Sequence, residues 1–101
     1  MNAFDQPINT LTISNKVLDE PTEFDPNNDW IFDASACTID ESFVHSYQRF
    51  LNALETGKYS RVLVTQAEYL SLFPNSCIVV PTLGEAEDLI EMERIERDLG
   101  F

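Results

Sequence analysis

The sequence predicts a small α/β domain: a mostly parallel four-stranded sheet carrying two main helices. Three observations predict it. Short β-branched, apolar runs recur at Trp30-Ile-Phe-Asp-Ala-Ser35, Ser60-Arg-Val-Leu-Val-Thr65 and Cys77-Ile-Val-Val80. Two stretches of helical periodicity, each with start and stop residues, follow the first and the last of these runs. The order β–loop–β–α–β–(short α)–β–α is that of parallel strands joined by crossovers, with helices covering the sheet. At 101 residues the chain fits one domain with a single core.

Residues 1–9 contain Pro7 and little periodicity, and are expected to form a loose arm. Thr10-Leu-Thr-Ile-Ser14 alternates polar with apolar and reads as a short edge strand. Residues 16–29 are acidic and rich in turn formers, with Asp19, Glu20, Pro21, Glu23, Asp25, Pro26 and Asp29, and read as a loop that Val17, Leu18 and Phe24 can anchor. After the strand at Trp30, Thr38-Ile-Asp-Glu41 fits a capping box, in which the Thr hydroxyl accepts from an early helical N–H and Glu41 reaches back. The helix that follows puts Phe43, Tyr47, Phe50, Leu51 and Leu54 on one stripe, and Gly57 suits its left-handed stop. Ser60–Thr65 reads as a central strand, and 67–73 as a turn or two of helix stopped by Pro74.

The last segment, Cys77–Phe101, states its structure most plainly. An apolar strand ends at Pro81, and Thr82-Leu-Gly-Glu85 forms a second capping box. Leu83, Ala86, Leu89, Ile90, Met92, Ile95 and Leu99 give the helix an apolar side. Glu85, Glu87 and Asp88 fall early and Arg94 and Arg97 late, as the helix dipole favours, and Glu93 with Arg97 makes an i,i+4 pair. Gly100 fits the C′ position and Phe101 is expected to fold back on the core.

Composition limits function. A formal charge of −12 disfavours direct binding to nucleic acid or to an anionic membrane, both of which need clustered Lys or Arg. It favours a basic protein partner at long range, although much of the charge also serves to solvate helix surfaces. There is no apolar run of membrane-spanning length and no secretory pattern at the N-terminus, so a cytoplasmic location is expected. Cys37 and Cys77 read as reduced, buried side chains and, with one histidine, form no zinc ligand set.

His45 lies off the helix stripe, and the serines lack a nucleophile elbow. The glycines are accounted for by helix ends rather than a phosphate loop. No cofactor and no catalysis are expected. Asp33, at the carboxyl end of a strand, and Asp40, at a helix start, lie at the edge where open α/β sheets place their sites. As a cation site they offer too few ligands, and local structural roles compete. The acidic final helix is either a solvated face or a surface that docks a basic partner.

Ile31-Phe-Asp-Ala-Ser35, Thr38-Ile-Asp-Glu-Ser42, Arg61-Val-Leu-Val64 and Val80-Pro-Thr-Leu-Gly-Glu-Ala86 together resemble the anti-sigma factor antagonist (STAS) domain, over roughly residues 30 to 90. The ending from Val79 to Phe101 is similar to short bacterial STAS-like proteins encoded beside ribonuclease Z, whose own histidine-rich metal motif is missing here. The resemblance implies a reduced STAS-like fold and regulation through contact with another protein, with Asp33, Asp40, Glu41 and Ser42 as the partner-binding turn. A homodimer is compatible with it. Two other roles are open: an acidic decoy that inhibits a basic, nucleic-acid-binding protein, and an accessory factor of tRNA-processing ribonuclease Z. The family's phosphorylated serine corresponds to Glu41, its second serine to Ser42 and its glycine to Phe43, with Asp33 and Asp40 one residue closer than usual. Glu41 can stand as a fixed charge resembling the phosphorylated state or serve only the capping box.

Overall fold

A computed structural model describes residues 8–14, 18, 28–54 and 59–100. Four strands, β1 (Asn9–Thr12), β2 (Trp30–Asp33), β3 (Arg61–Val64) and β4 (Val79–Val80), form an all-parallel sheet in the order β1-β2-β3-β4. Helix α1 (Glu41–Leu54) connects β2 to β3, a 3-10 segment (Ala67–Leu72) connects β3 to β4, and helix α2 (Leu83–Asp98) follows β4. The strands are short but in strict register, with Ile31 beside Val62 and Phe32 beside Leu63. The expected fold class is therefore observed, with β1 at one edge.

Alternation along the strands sorts the side chains into two cores. Phe32 and Leu63 point to the α1 face and meet Phe43, Tyr47 and Phe50 there, together with Ile13, Leu18, Ile39 and Phe73. Phe32 is the hub of this layer. Tyr47 and Phe50 meet its ring edge-on at 6.1 and 5.2 Å between centroids, the arrangement that aromatic quadrupoles favour. Ile31, Val62 and Val64 point the other way, against Ala86 and Ile90 of α2. The small side chain of Ala86 lets that helix lie close to β2, β3 and β4.

Several local expectations are corrected. The first strand begins at Asn9, and Ile8 packs on the α2-side core, so the end of the expected arm belongs to the sheet. Helix α1 starts at Glu41 rather than after Thr38. Asp40 caps it, its Oδ1 accepting from the N–H of Phe43 at 2.9 Å. The cap lies two residues later because Ile39 is buried in the core, which fixes where the chain turns into the helix, and Asp is among the best N-cap residues. Gly57, Phe101, Val17, Phe24 and most of residues 1–9 and 16–29 lie outside the described residues, as does the side chain of Leu54.

The expected cap at Thr82 forms, but Glu85 reaches back to the Thr82 hydroxyl rather than to its backbone N–H. The Thr82 hydroxyl accepts from the Glu85 N–H at 3.2 Å and donates to the Glu85 carboxylate at 2.9 Å. Gly100 takes φ +82°, and its N–H donates to the Arg97 carbonyl, closing α2 as a C′ glycine does. The expected apolar side of α2 is narrower than its apolar residues suggest: Ala86 and Ile90 are buried and Leu89 half-buried, while Leu83, Met92, Ile95 and Leu99 are exposed. Among the described residues, no helix is long and apolar enough to cross a membrane.

Candidate functional site at the carboxyl edge of the sheet

Both helices run back against the strands, so each begins at the carboxyl edge and ends at the amino edge. The four expected partner-binding residues all fall at the carboxyl edge, between the end of β2 and the first turn of α1. The connecting turn is firmly built. Ala34 N–H donates to the Val64 carbonyl at 2.8 Å, Cys37 N–H to the Ala34 carbonyl at 3.0 Å, and the Gln66 amide to the Ser35 carbonyl at 3.1 Å. The Cys37 thiol donates to the Ile13 carbonyl at 3.1 Å, tying the turn to the chain beyond β1.

Asp33 is half-buried, and its Oδ1 accepts from the Ser35 N–H at 3.0 Å, an Asx turn that bends the chain out of the strand. Asp40 is exposed and caps α1. Glu41 and Ser42 are exposed in the first helical turn. Glu41, expected at the third position of a capping box, is instead the first helical residue; there its charge faces the positive end of the helix dipole. The expected reach-back role is thus absent, and the carboxylate points to solvent.

Glu41 also borders an open groove of about 570 Å³ that the sequence did not disclose. Val44, His45 and Gln48 of α1 form one wall; Ser71, Leu72, Phe73 and Pro74 form the other. A smaller depression lined by Gln48, Leu51, Asn52, Ser76 and Cys77 continues past it. The helical spacing of Glu41, Val44, His45 and Gln48 was a readable signal, but the opposing wall comes from a 3-10 segment distant in sequence. His45 is exposed on this wall, consistent with its position off the buried stripe.

The strand order runs monotonically, and among these four strands it lacks the reversal that opens a ligand crevice in doubly wound sheets. The carboxyl edge is consequently a shallow surface of turns and helix starts. Burial pushes the Cys37 thiol up, with a further push from the Asp33 charge, and burial likewise raises Cys77. Both cysteines are unbridged and held in the thiol form, which is a poor nucleophile. Among the described residues no group of three or more His, Cys, Asp or Glu is placed to hold a metal ion.

The opposite, amino edge carries a charge cluster that the sequence reading missed. Asp29, only 5% exposed, accepts from the Ser60 N–H at 2.7 Å, from Arg94 Nε at 2.6 Å and from both terminal nitrogens of Arg97 at 3.1 and 2.9 Å. Burial alone would raise the Asp29 carboxyl; the bonds from Arg97, the Ser60 backbone and Arg94 outweigh it and hold the group below its ordinary value. Glu93 accepts from the Ser60 hydroxyl at 2.6 Å. The expected Glu93–Arg97 helix pair is therefore replaced by two separate links to the sheet. Tertiary placement wins because a buried carboxylate needs cationic partners far more than two exposed ends need each other.

Comparison with protein-family models, with curated proteins and with solved structures gives no match for this chain.

Proposed function

We propose that the chain is a non-catalytic, cytoplasmic regulatory module of STAS-like type, working through contact with another protein at the carboxyl-edge turn. One observation carries this reading: a hydrogen-bonded turn presents Asp40, Glu41 and Ser42 to solvent on a rigid platform beside an open groove. Binding residues on a loop held by a fixed scaffold lose little freedom on docking. Glu41, at the position where the resembling family carries its phosphorylated serine, supplies a permanent negative charge instead of a switched one.

The test is affinity capture from cells with the unmodified chain and with the variant Glu41→Gln/Ser42→Ala. A reproducible protein partner, lost from the variant while the fold is retained, is the expected result. Capture that ignores the variant, or no reproducible partner, would sink the reading.

A second reading has one specific observation in its favour. Arg94 and Arg97 are turned onto Asp29, so Glu85, Glu87, Asp88, Glu91, Glu96 and Asp98 remain exposed along α2 without those cations among them. Such a face suits a decoy for a basic, nucleic-acid-binding protein. Binding of that kind weakens steeply with salt and competes with DNA or RNA; salt-insensitive binding excludes it. A role as accessory of ribonuclease Z rests on resemblance alone, and cleavage of precursor tRNA with and without the chain decides it.

A further inference from the structure

We infer that the outer face of α2 is a second docking surface, one that inserts Met92, Ile95 and Leu99 into an apolar groove rimmed by Lys or Arg on a partner protein. The inference rests on the proposed protein-binding role and adds a separate surface to it. Helix α2 buries Ala86, Ile90 and Arg94, spaced four apart. Met92, Ile95 and Leu99 recur at i, i+3 and i+7 on the opposite side of the helix and are 62%, 41% and 65% exposed. Anchors at this spacing are how an amphipathic helix lies in a groove. Scattered exposed apolar residues need no explanation, but three aligned on one stripe of the solvent side of a helix do.

Charge identifies the occupant. Asp88 and Glu96 lie one turn to either side of Met92, and Glu91 one turn before Ile95, so the stripe is bracketed by carboxylates. The two arginines of the helix face the other way and bind Asp29. A second copy of the chain would bring Glu91 and Glu96 against their own kind, with Arg94 and Arg97 turned away from the contact and a formal −12 on each side. A cation-rimmed apolar groove satisfies both the stripe and its borders.

The test uses the full chain and a synthetic amphipathic peptide with Leu on one face and Lys on the rim, followed by NMR. Expected are shifts centred on Met92, Ile95 and Leu99, a loss of affinity of about tenfold or more in Met92→Gln/Ile95→Gln/Leu99→Gln, and weakening in Glu91→Gln/Glu96→Gln. These glutamines keep helix propensity, and the replaced side chains are exposed. Equal binding of a control peptide with Ser in place of Leu overturns the inference, as does undiminished binding to the triple variant. A Met92 methyl shielded from a soluble paramagnetic agent in the free chain also overturns it, because the chain itself then covers the stripe. So does a concentration-dependent dimer abolished by the triple variant, because a second copy is then the occupant. In capture from cells, a partner lost by Glu41→Gln/Ser42→Ala but kept by the triple glutamine variant overturns this inference alone. The reverse pattern supports it and overturns the carboxyl-edge reading alone.

Discussion

The two edges of the sheet use acidic residues in opposite ways. At the amino edge Asp29 is buried beneath two arginines and the Ser60 N–H, and its charge is consumed by holding α2 against the strands. At the carboxyl edge Asp40, Glu41 and Ser42 stand in solvent, with only Asp40 committed, to the helix cap. Burial decides the difference. A carboxylate removed from water must find cations and donors or it destabilises the fold, whereas an exposed one retains its hydration and can meet a partner. Among the described residues the acidity thus falls into two populations, one structural and small, the other surface and available.

The largest expected effect comes from breaking the structural one. Asp29→Asn removes the buried carboxylate that Arg94 and Arg97 both hold and is expected to cost about 3–5 kcal/mol in urea unfolding. A cost as small as that of an ordinary surface substitution would mean that the cluster holds nothing. The pH dependence follows with a fixed sign. Because the folded Asp29 carboxyl sits below its ordinary value of 3.8, its stabilisation is whole above that value. It is lost as pH falls through the depressed folded value. Acid unfolding of Asp29→Asn should lack this component, and parallel acid profiles would refute the assignment.

Smaller effects sharpen the carboxyl edge. Asp40→Ala should destabilise by about 1 kcal/mol through loss of the cap on α1, while Thr38→Ala should leave thermal unfolding nearly unchanged. Equal losses from the two would restore Thr38 as the cap. Glu41→Gln/Ser42→Ala is expected to leave the melting midpoint in place, so that any loss of partner capture reports on contact alone. Between the edges, Tyr47 is fully buried, and its hydroxyl has no hydrogen-bond partner among the described residues. Tyr47→Phe removes that unsatisfied group at little loss of packing and should be neutral or stabilising by up to about 1 kcal/mol. A clear destabilisation would reveal a bond that the hydroxyl makes.

Both helices, all four strand positions to within a few residues and the helix-closing Gly100 were legible because each depends on neighbours close in sequence. The periodicity of Phe43, Tyr47 and Phe50 even named the core face of α1. The same local logic misread α2, where Met92, Ile95 and Leu99 count as apolar in any pattern yet face outward. It also set the cap of α1 two residues early, because Thr38-Ile-Asp-Glu41 and Asp40 both satisfy local rules and only the burial of Ile39 chooses between them. Of the candidate site, the positions of Asp33, Asp40, Glu41 and Ser42 were readable, but not the groove beside them, whose second wall arrives from Ser71–Pro74.

The sequence by itself determined the α/β class, the order of elements, both ends of α2 and the surplus of negative charge, since propensity, caps and composition are local or additive properties. Tertiary structure alone decided where that charge goes. Asp29 and Arg94 are separated by 65 positions, and they meet only because α2 returns antiparallel to the strands and ends over the amino edge. That return turns both arginines onto Asp29 and Glu93 onto Ser60, and leaves the other carboxylates of α2 and the Met92 stripe outside. No local pattern encodes such a choice, because it depends on which face of the helix the sheet accepts.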